Sequence, residues 1–206
     1  MKYELVIVGA LETNCYLVYC EETRACAVID PGAEHEKIIA AIADLELMPA
    51  VVLNTHGHVD HIGGNVDIVQ KYGVPLAMHP ADAGMLKVSD HIELSLLLGA
   101  RNSPPPDRLL AEGDKIAVGR VSLRVIHIPG HTPGSIGFVA DGVLFSGDTL
   151  FCGGVGRTDL PGGSWKDLEM SIREKILTLP DETMVLPGHG PWTTVEQEKS
   201  SNPFLT

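Results

Sequence analysis

Short apolar runs alternate with turns rich in glycine and proline along most of the chain, a pattern that predicts many short strands. The run Ala50–Leu53 is wholly apolar, which favours a strand that is buried on both faces. The predicted strands are Tyr3–Val8, Cys15–Val18, Ala25–Ile29, Ala50–Leu53, Pro75–Met78, Lys115–Val118, Val121–Ile128, Ser135–Val139, Val143–Phe145 and Met184–Leu186.

Helical spacing of apolar residues occurs in both halves of the chain. The predicted helices are Glu34–Leu47, Gly64–Tyr72, Trp165–Leu179 and Thr194–Ser200, and two further helical pieces, Ala81–Val88 and Ile92–Leu98, precede a break at Pro104–Pro106. Each half thus supplies both strands and helices, and no segment has the composition of a linker. We therefore expect an α/β fold in one domain, residues 1–206, built as a four-layer αββα sandwich with two sheets face to face.

The charge of the chain limits its partners. There are 27 acidic and 15 basic side chains, which give a net charge of −12. A surface of this sign repels phosphate backbones and anionic lipids, so we expect neither nucleic acid nor a membrane as partner. No apolar run approaches the roughly 18 residues that a membrane span requires.

The four cysteines (Cys15, Cys20, Cys26 and Cys152) have no CxxC spacing and suggest no disulfide framework. Glu4, Glu12 and Asn14 interrupt the apolar start of the chain, which reads better as strand than as a signal peptide. We therefore expect reduced thiols and a cytoplasmic protein.

Five of the nine histidines lie in turns that directly follow apolar strand segments. The four turns that carry candidate chemistry are His56-Gly57-His58-Val59-Asp60-His61, Pro129-Gly130-His131, Ser146-Gly147-Asp148 and Pro187-Gly188-His189. Strands of one sheet that end on the same edge would bring these turns together. Imidazole and carboxylate groups are ligands for divalent zinc, iron and manganese. The other four histidines, His35, His79, His91 and His127, are expected to be surface or packing residues.

These motifs resemble those of the metallo-β-lactamase superfamily over essentially the whole chain. The HxHxDH signature is matched by His56, His58, Asp60 and His61, and His131 (GHTPGS), Asp148 (FSGD) and His189 (PGHG) follow in the family's order. The resemblance implies two divalent cations, with zinc expected and iron or manganese as alternatives. One cation would be held by His56, His58 and His131, the other by Asp60, His61 and His189, and Asp148 would bridge them. A hydroxide shared by the cations would be the nucleophile, with Asp60 and Asp148 as the catalytic carboxylates that orient it.

Two further residues are candidates for roles around the metals. Asp30, in the turn after Ala25–Ile29, could accept the second N–H of a ligand histidine, or it could simply close the strand as a turn residue. Arg157 lies in a GRTD segment similar to that of glyoxalase II-like members of the superfamily. It could bind a substrate carboxylate, or it could pair with Asp159.

The glyoxalase II-like resemblance implies hydrolysis of a small-molecule thioester such as S-lactoylglutathione; the oligomeric state is left open. The chain lacks the basic C-terminal extension of full-length glyoxalase II enzymes, so the thiol part of the substrate is open as well. One alternative is a mononuclear iron persulfide dioxygenase that uses His56, His131 and Asp148. Further alternatives are a lactone or β-lactam hydrolase and a non-catalytic metal-binding module.

Overall fold

Two six-stranded sheets form the centre of the fold, in line with the many short apolar runs. The structure is a computed structural model that describes residues 1–86 and 102–205. The first sheet has the order β1-β2-β3-β4-β5-β6. Its strands are β1 (Lys2–Val8), β2 (Thr13–Tyr19), β3 (Ala25–Ile29), β4 (Met48–Leu53), β5 (Leu76–Met78) and β6 (Arg108–Leu109). The first three strands pair antiparallel, and β3 to β6 pair parallel.

The second sheet has the order β14-β13-β10-β9-β8-β7. Its strands are β7 (Lys115–Val118), β8 (Val121–His127), β9 (Ile136–Ala140), β10 (Val143–Gly147), β13 (Met184–Pro187) and β14 (Thr193–Thr194). Strands β7 to β10 form an antiparallel meander, whereas β10 and β13 pair parallel. A small separate hairpin, β11 (Leu150–Phe151) with β12 (Gly154–Val155), follows the second sheet's β10.

Three apolar clusters define four layers. The cluster between the sheets contains Phe138, Phe145 and Tyr16. A second cluster packs helices α1 (His35–Asp44) and α3 (Asn65–Tyr72) on the outer face of the first sheet. A third packs α4 (Trp165–Ser171) and α5 (Val195–Ser201) on the outer face of the second sheet. The predicted αββα architecture is thus confirmed, and the assignment of residues 1–206 to one domain stays a prediction.

Backbone conformation explains where the observed helices are shorter than predicted. Helix α1 starts at His35 because Glu34 is left-handed, with φ of 45°, and it ends before Glu46, which is also left-handed with φ of 51°. The predicted helix Trp165–Leu179 is α4 followed by a π-helical turn, Ile172–Ile176. The helical piece at Ala81–Val88 is a 3₁₀ helix over Pro80–Leu86, and Ile92–Leu98 lies outside the described residues.

Five strands end at one edge of the sandwich. Because β3 and β4 are parallel, the turns that follow them share an edge of the first sheet. Strands β10 and β13 are likewise parallel, and β8, two antiparallel steps away from β10, runs in the same direction. The loops after β3, β4, β8, β10 and β13 carry the candidate chemistry. Within the described parts of the chain, no helix has the length and apolar character needed to cross a bilayer.

Candidate metal centre

The HxHxDH segment changes direction in its middle, which separates its donor groups. His56 and His58 lie in the extended turn after β4, and His58 precedes the short helix α2 (Val59–Ile62) that carries Asp60 and His61. Extended backbone aims His56 and His58 to one side, whereas the helical turn directs the next two side chains elsewhere. The sequence pattern therefore distributes four donors over two places.

The first cluster consists of His56, His58 and His131, whose donor nitrogens all lie within 4.8 Å of one another. His58 Nδ1 lies 2.8 Å from His131 Nε2. His56 and His131 are buried, and His58 is partly exposed.

The second cluster consists of Asp60, His61 and His189. The Nε2 atoms of His61 and His189 are 3.3 Å apart, and Asp60 Oδ2 lies 3.5 Å from the first and 3.2 Å from the second. Asp148 connects the clusters: its Oδ1 lies 3.4 Å from His61 Nε2, and its Oδ2 lies 3.7 Å from His131 Nε2. The structure thus brings all seven predicted side chains to one place.

Hydrogen bonds fix the tautomers of three histidines. A carbonyl or carboxylate oxygen accepts, so the Nδ1 facing it must carry the hydrogen. His131 Nδ1 donates to the Arg157 carbonyl at 2.9 Å, and His189 Nδ1 donates to the Leu11 carbonyl at 2.9 Å. His61 Nδ1 donates to Asp30 Oδ2 at 3.0 Å. Each ring therefore presents an unprotonated Nε2 to the centre when neutral, which is the form that binds a metal.

His56 is oriented through a hydroxyl relay. Thr55 Oγ1 donates to Asp30 Oδ2 at 2.6 Å, so this hydroxyl is left to accept from His56 Nδ1 at 3.0 Å. Asp30 also accepts from the Thr55 backbone N–H at 2.8 Å. The buried Asp30 carboxylate thus orients His61 of the second cluster directly and His56 of the first cluster through Thr55. The sequence suggests such a contact for one ligand histidine only.

Two buried atoms that face the centre have no hydrogen-bond partner, and this bears on whether the site suits a cation. His56 Nε2 and Asp148 Oδ1 find no hydrogen-bond partner among residues 1–86 and 102–205. Buried polar atoms of this kind are costly unless something binds them. Donors around a tetrahedral zinc are about 3.3 Å apart, given Zn–N distances of about 2.0 Å. The spacings of 3.2, 3.3 and 3.5 Å in the second cluster match this value, so these residues fit a divalent cation.

The electrostatics of the centre also suit a cation. Burial lowers the pKa of His58 to about 3 and, with the same main cause, holds the pKa of His56 well below its usual value. Burial would raise the pKa of Asp60 and Asp148, but the neighbouring histidines, His61 foremost, outweigh it and lower both. Conversely, Asp148, Asp60 and Asp30 raise the pKa of His61 against the effect of burial. Without a cation, His56 and His58 are therefore neutral and the two carboxylates ionised, and the charge of the carboxylates favours a positive charge at His61.

Gly188 allows the loops to approach this closely. A Cβ at this position would lie 2.1 Å from Asp148 Oδ1 and 2.7 Å from His61 Cε1. Any side chain at this position would therefore displace a donor group of the centre.

The guanidinium of Arg157 forms a two-pronged pair with Asp159, at 2.8 and 2.7 Å, and both side chains are exposed. This is the pairing that sequence reasoning offered as the alternative to a substrate contact, and the substrate contact stays a prediction. The backbone carbonyl of Arg157 has the role noted above, as acceptor for His131. A backbone acceptor leaves no trace in residue identity, so the sequence gives no signal for it.

Three other histidines, His35, His79 and His127, do not join the centre. His35 is paired with Glu36 at 3.1 Å, and His91 lies outside the described residues. His79 and His127 stack on each other with ring centres 4.2 Å apart and planes 10° apart. Burial and then the neighbouring His127 lower the pKa of His79, while Asp82 acts in the opposite direction.

Comparison with known proteins agrees with this geometry. A model of the metallo-beta-lactamase superfamily matches residues 8–189. The chain belongs to this superfamily. The match extends from β1 to His189, the last of the seven clustered side chains.

Similar proteins within the superfamily carry names that indicate different functions. A Haemophilus influenzae protein named hydroxyacylglutathione hydrolase GloC is 40% identical over 209 residues, covering 100% of this chain and 98% of that protein. Among solved structures, the BLEG-1 B3 metallo-beta-lactamase is 37% identical, with a TM-score of 0.93 and full coverage of both chains. TTHA1623 in a di-iron-bound form is 40% identical, with a TM-score of 0.89 over 98% of this chain and 100% of that one. ETHE1 from Myxococcus xanthus is 28% identical, with a TM-score of 0.84 over 98% and 84%.

Proposed function

We propose that this superfamily member is a binuclear metal-dependent hydrolase that cleaves a small-molecule thioester of the S-lactoylglutathione type. The observation that carries the proposal is the pair of donor clusters joined by Asp148. His56, His58 and His131 would hold one cation, and Asp60, His61 and His189 the other. Zinc is the favoured metal, and the di-iron form of TTHA1623 keeps iron in consideration for this chain.

When bound, a pair of such cations supplies Lewis acidity and lowers the pKa of water. The chain's own residues prepare the place where this chemistry would occur. Asp60 Oδ2 accepts a hydrogen bond from Thr13 Oγ1 at 3.4 Å, and this contact orients the carboxylate towards the centre. Asp148 lies between the clusters, where its ionised carboxylate can orient a water that attacks a thioester carbonyl.

A thioester is the favoured substrate for two reasons. One relative of nearly equal length carries the name hydroxyacylglutathione hydrolase GloC. In addition, a thiolate is a good leaving group, so its departure needs little help from an acid. Among the described residues, the seven clustered side chains supply carboxylates and imidazoles and no serine or cysteine nucleophile. Attack by water is therefore the simplest route.

The test uses zinc-loaded and iron-loaded protein with S-lactoylglutathione, and release of the thiol is followed with a thiol reagent. We expect turnover that chelation abolishes and that Asp148→Asn reduces by at least 100-fold, because a bridging donor is lost. Glu198→Gln serves as a matched control, since it alters a buried carboxylate that bonds Gly153 and Thr193 and no member of the centre.

Two assays run beside it separate the rival activities. Oxygen uptake with glutathione persulfide by the iron-loaded protein, without thioester hydrolysis, would replace the proposal with a dioxygenase. Hydrolysis of a β-lactam in preference to the thioester would favour the activity named in the BLEG-1 structure.

A further inference from the structure

Asp82 lies in the 3₁₀ helix Pro80–Leu86 and is fully buried, with 0% of its surface exposed. Its carboxylate sits between two loops that carry members of the first cluster. Asp82 Oδ2 accepts from the Gly57 backbone N–H at 3.0 Å and from Thr132 Oγ1 at 2.6 Å, and Oδ1 accepts from the Gly134 backbone N–H at 2.7 Å. Gly57 separates His56 from His58, and Thr132 follows His131 directly.

We propose that Asp82 is a positioning residue that sets the geometry of the His56, His58 and His131 side of the centre and leaves the other side unaffected. The proposal rests on the proposed metal centre, but it does not depend on which substrate is hydrolysed. Asp82 reaches no reacting atom; it acts through the backbone of the two loops.

The packing around Asp82 leaves little freedom for the loops. A Cβ at Gly134 would lie 2.5 Å from Asp82 Cγ and 2.8 Å from its backbone nitrogen. A Cβ at Gly57 would lie 3.1 Å from the Asp82 carbonyl oxygen. Both loops therefore approach Asp82 with their backbones, and the absence of a side chain at Gly57 and Gly134 allows the two backbone hydrogen bonds to form.

The chemistry of the contact requires a group that only accepts. Two of the three donors are backbone N–H groups, which cannot change roles, and they face different oxygens of Asp82. The isosteric asparagine has one accepting oxygen and one NH₂ group. In either orientation its NH₂ group would face an N–H donor, so Asp82→Asn must release either the His56–His58 loop or the His131 loop.

The second cluster is held by other groups. His61 bonds to Asp30, His189 bonds to the Leu11 carbonyl, and Asp60 bonds to Thr13. Asp30 and Leu11 belong to the β3 turn and the β1–β2 connection, which are separate from the Asp82 helix. A defect at Asp82 should therefore be confined to one of the two cations.

The test measures cobalt(II) affinity in two backgrounds that each keep one side of the centre. His189→Ala removes a metal ligand from the second cluster, so the first cluster is the strong site that remains in this variant. His131→Ala leaves the second cluster as the remaining strong site. Cobalt(II) binding to each metal-free protein is followed by its visible absorption and by chelator competition.

We expect Asp82→Asn to weaken cobalt binding by about 10- to 100-fold in the His189→Ala background, the range seen when a group that orients a ligand is lost. In the His131→Ala background it should change binding less than threefold. Glu198→Gln is the matched control, because Glu198 is also fully buried and accepts from Gly153, Thr193 and Asn202. It should leave cobalt binding unchanged in both backgrounds.

Equal weakening in both backgrounds, or no weakening in either, would overturn the positioning role. So would a His189→Ala protein that binds no cobalt, because nothing would then be positioned. If Asp82→Asn does not fold, Thr132→Val removes one of the three bonds in a nearly isosteric way, and the same selectivity is expected at a smaller size. The cobalt experiment does not measure thioester hydrolysis. If the protein fails to hydrolyse the thioester in the separate assay, the proposed function is refuted, and the role of Asp82 is still decided by cobalt binding.

Discussion

Gly188→Ala is a small change with a consequence that the structure specifies. The new methyl carbon would lie 2.1 Å from Asp148 Oδ1, whereas contacts of real Cβ atoms essentially never fall below 3.0 Å. Either the Asp148 carboxylate or the His189 loop must therefore move by about 0.9 Å. Metal–ligand distances tolerate deviations of only about 0.2 Å. The Asp148 carboxylate should therefore no longer be able to contact both cations.

The expected result is a protein that folds but binds its second equivalent of zinc poorly. Misplacement by about 1 Å costs on the order of 100-fold in rate, and we expect at least this loss in hydrolysis. Zinc content after desalting and kcat at saturating zinc are the two readouts. Gly84→Ala is the matched control, because Gly84 has a normal φ and no atom within 4 Å of an added Cβ. Two tightly bound zinc ions and wild-type turnover in Gly188→Ala would show that the loop spacing is not critical.

Three further predictions concern the support of the site, its surroundings and the core. Asp30→Asn should weaken zinc binding by about 10- to 100-fold in chelator competition, because His61 loses a carboxylate acceptor; unchanged affinity would contradict the role of Asp30 in orienting His61. The pKa of His79 is lowered in the folded state, so the unfolded state takes up a proton first as the pH falls below about 6.5. The free energy of unfolding of the wild type, measured by urea denaturation, should therefore decline relative to that of His79→Gln as the pH falls from about 7 to about 5. A difference between the two proteins that does not change with pH would refute this. Phe138→Ala should lower the free energy of unfolding by about 3–5 kcal/mol, since this side chain is fully buried between the sheets, and Phe204→Ala, 52% exposed, should cost less than about 1 kcal/mol; equal losses would contradict the assigned core.

The fold was predictable because most strands are long enough to leave a pattern. Ala25–Ile29 and Lys115–Val118 have the predicted bounds, and the alternation of apolar runs with turns indicated two sheets. The strands β6, β11, β12 and β14 have two residues each, which is too short for any period to be visible. Helix α1 is shorter than predicted because the left-handed backbone at Glu34 and Glu46 is a local choice that side-chain spacing does not report.

The convergence of the seven clustered side chains was predictable for a topological reason. Each lies in a loop that follows a strand, and these strands end at one edge of the sandwich. Residues that are far apart in the sequence therefore lie close together in the fold. The supporting groups were not predictable in the same way. Asp82 meets Thr132 across 50 positions of sequence, and Leu11 meets His189 across 178 through a carbonyl that any residue would supply. Such contacts depend on tertiary packing and leave no periodic signal.

Anomalous diffraction from zinc-soaked crystals tests most directly whether the two donor clusters hold two cations. We expect two peaks per chain roughly 3.5 Å apart, one among His56, His58 and His131 and the other among Asp60, His61 and His189, with Asp148 in contact with both. A single peak, or two peaks away from these side chains, would contradict it.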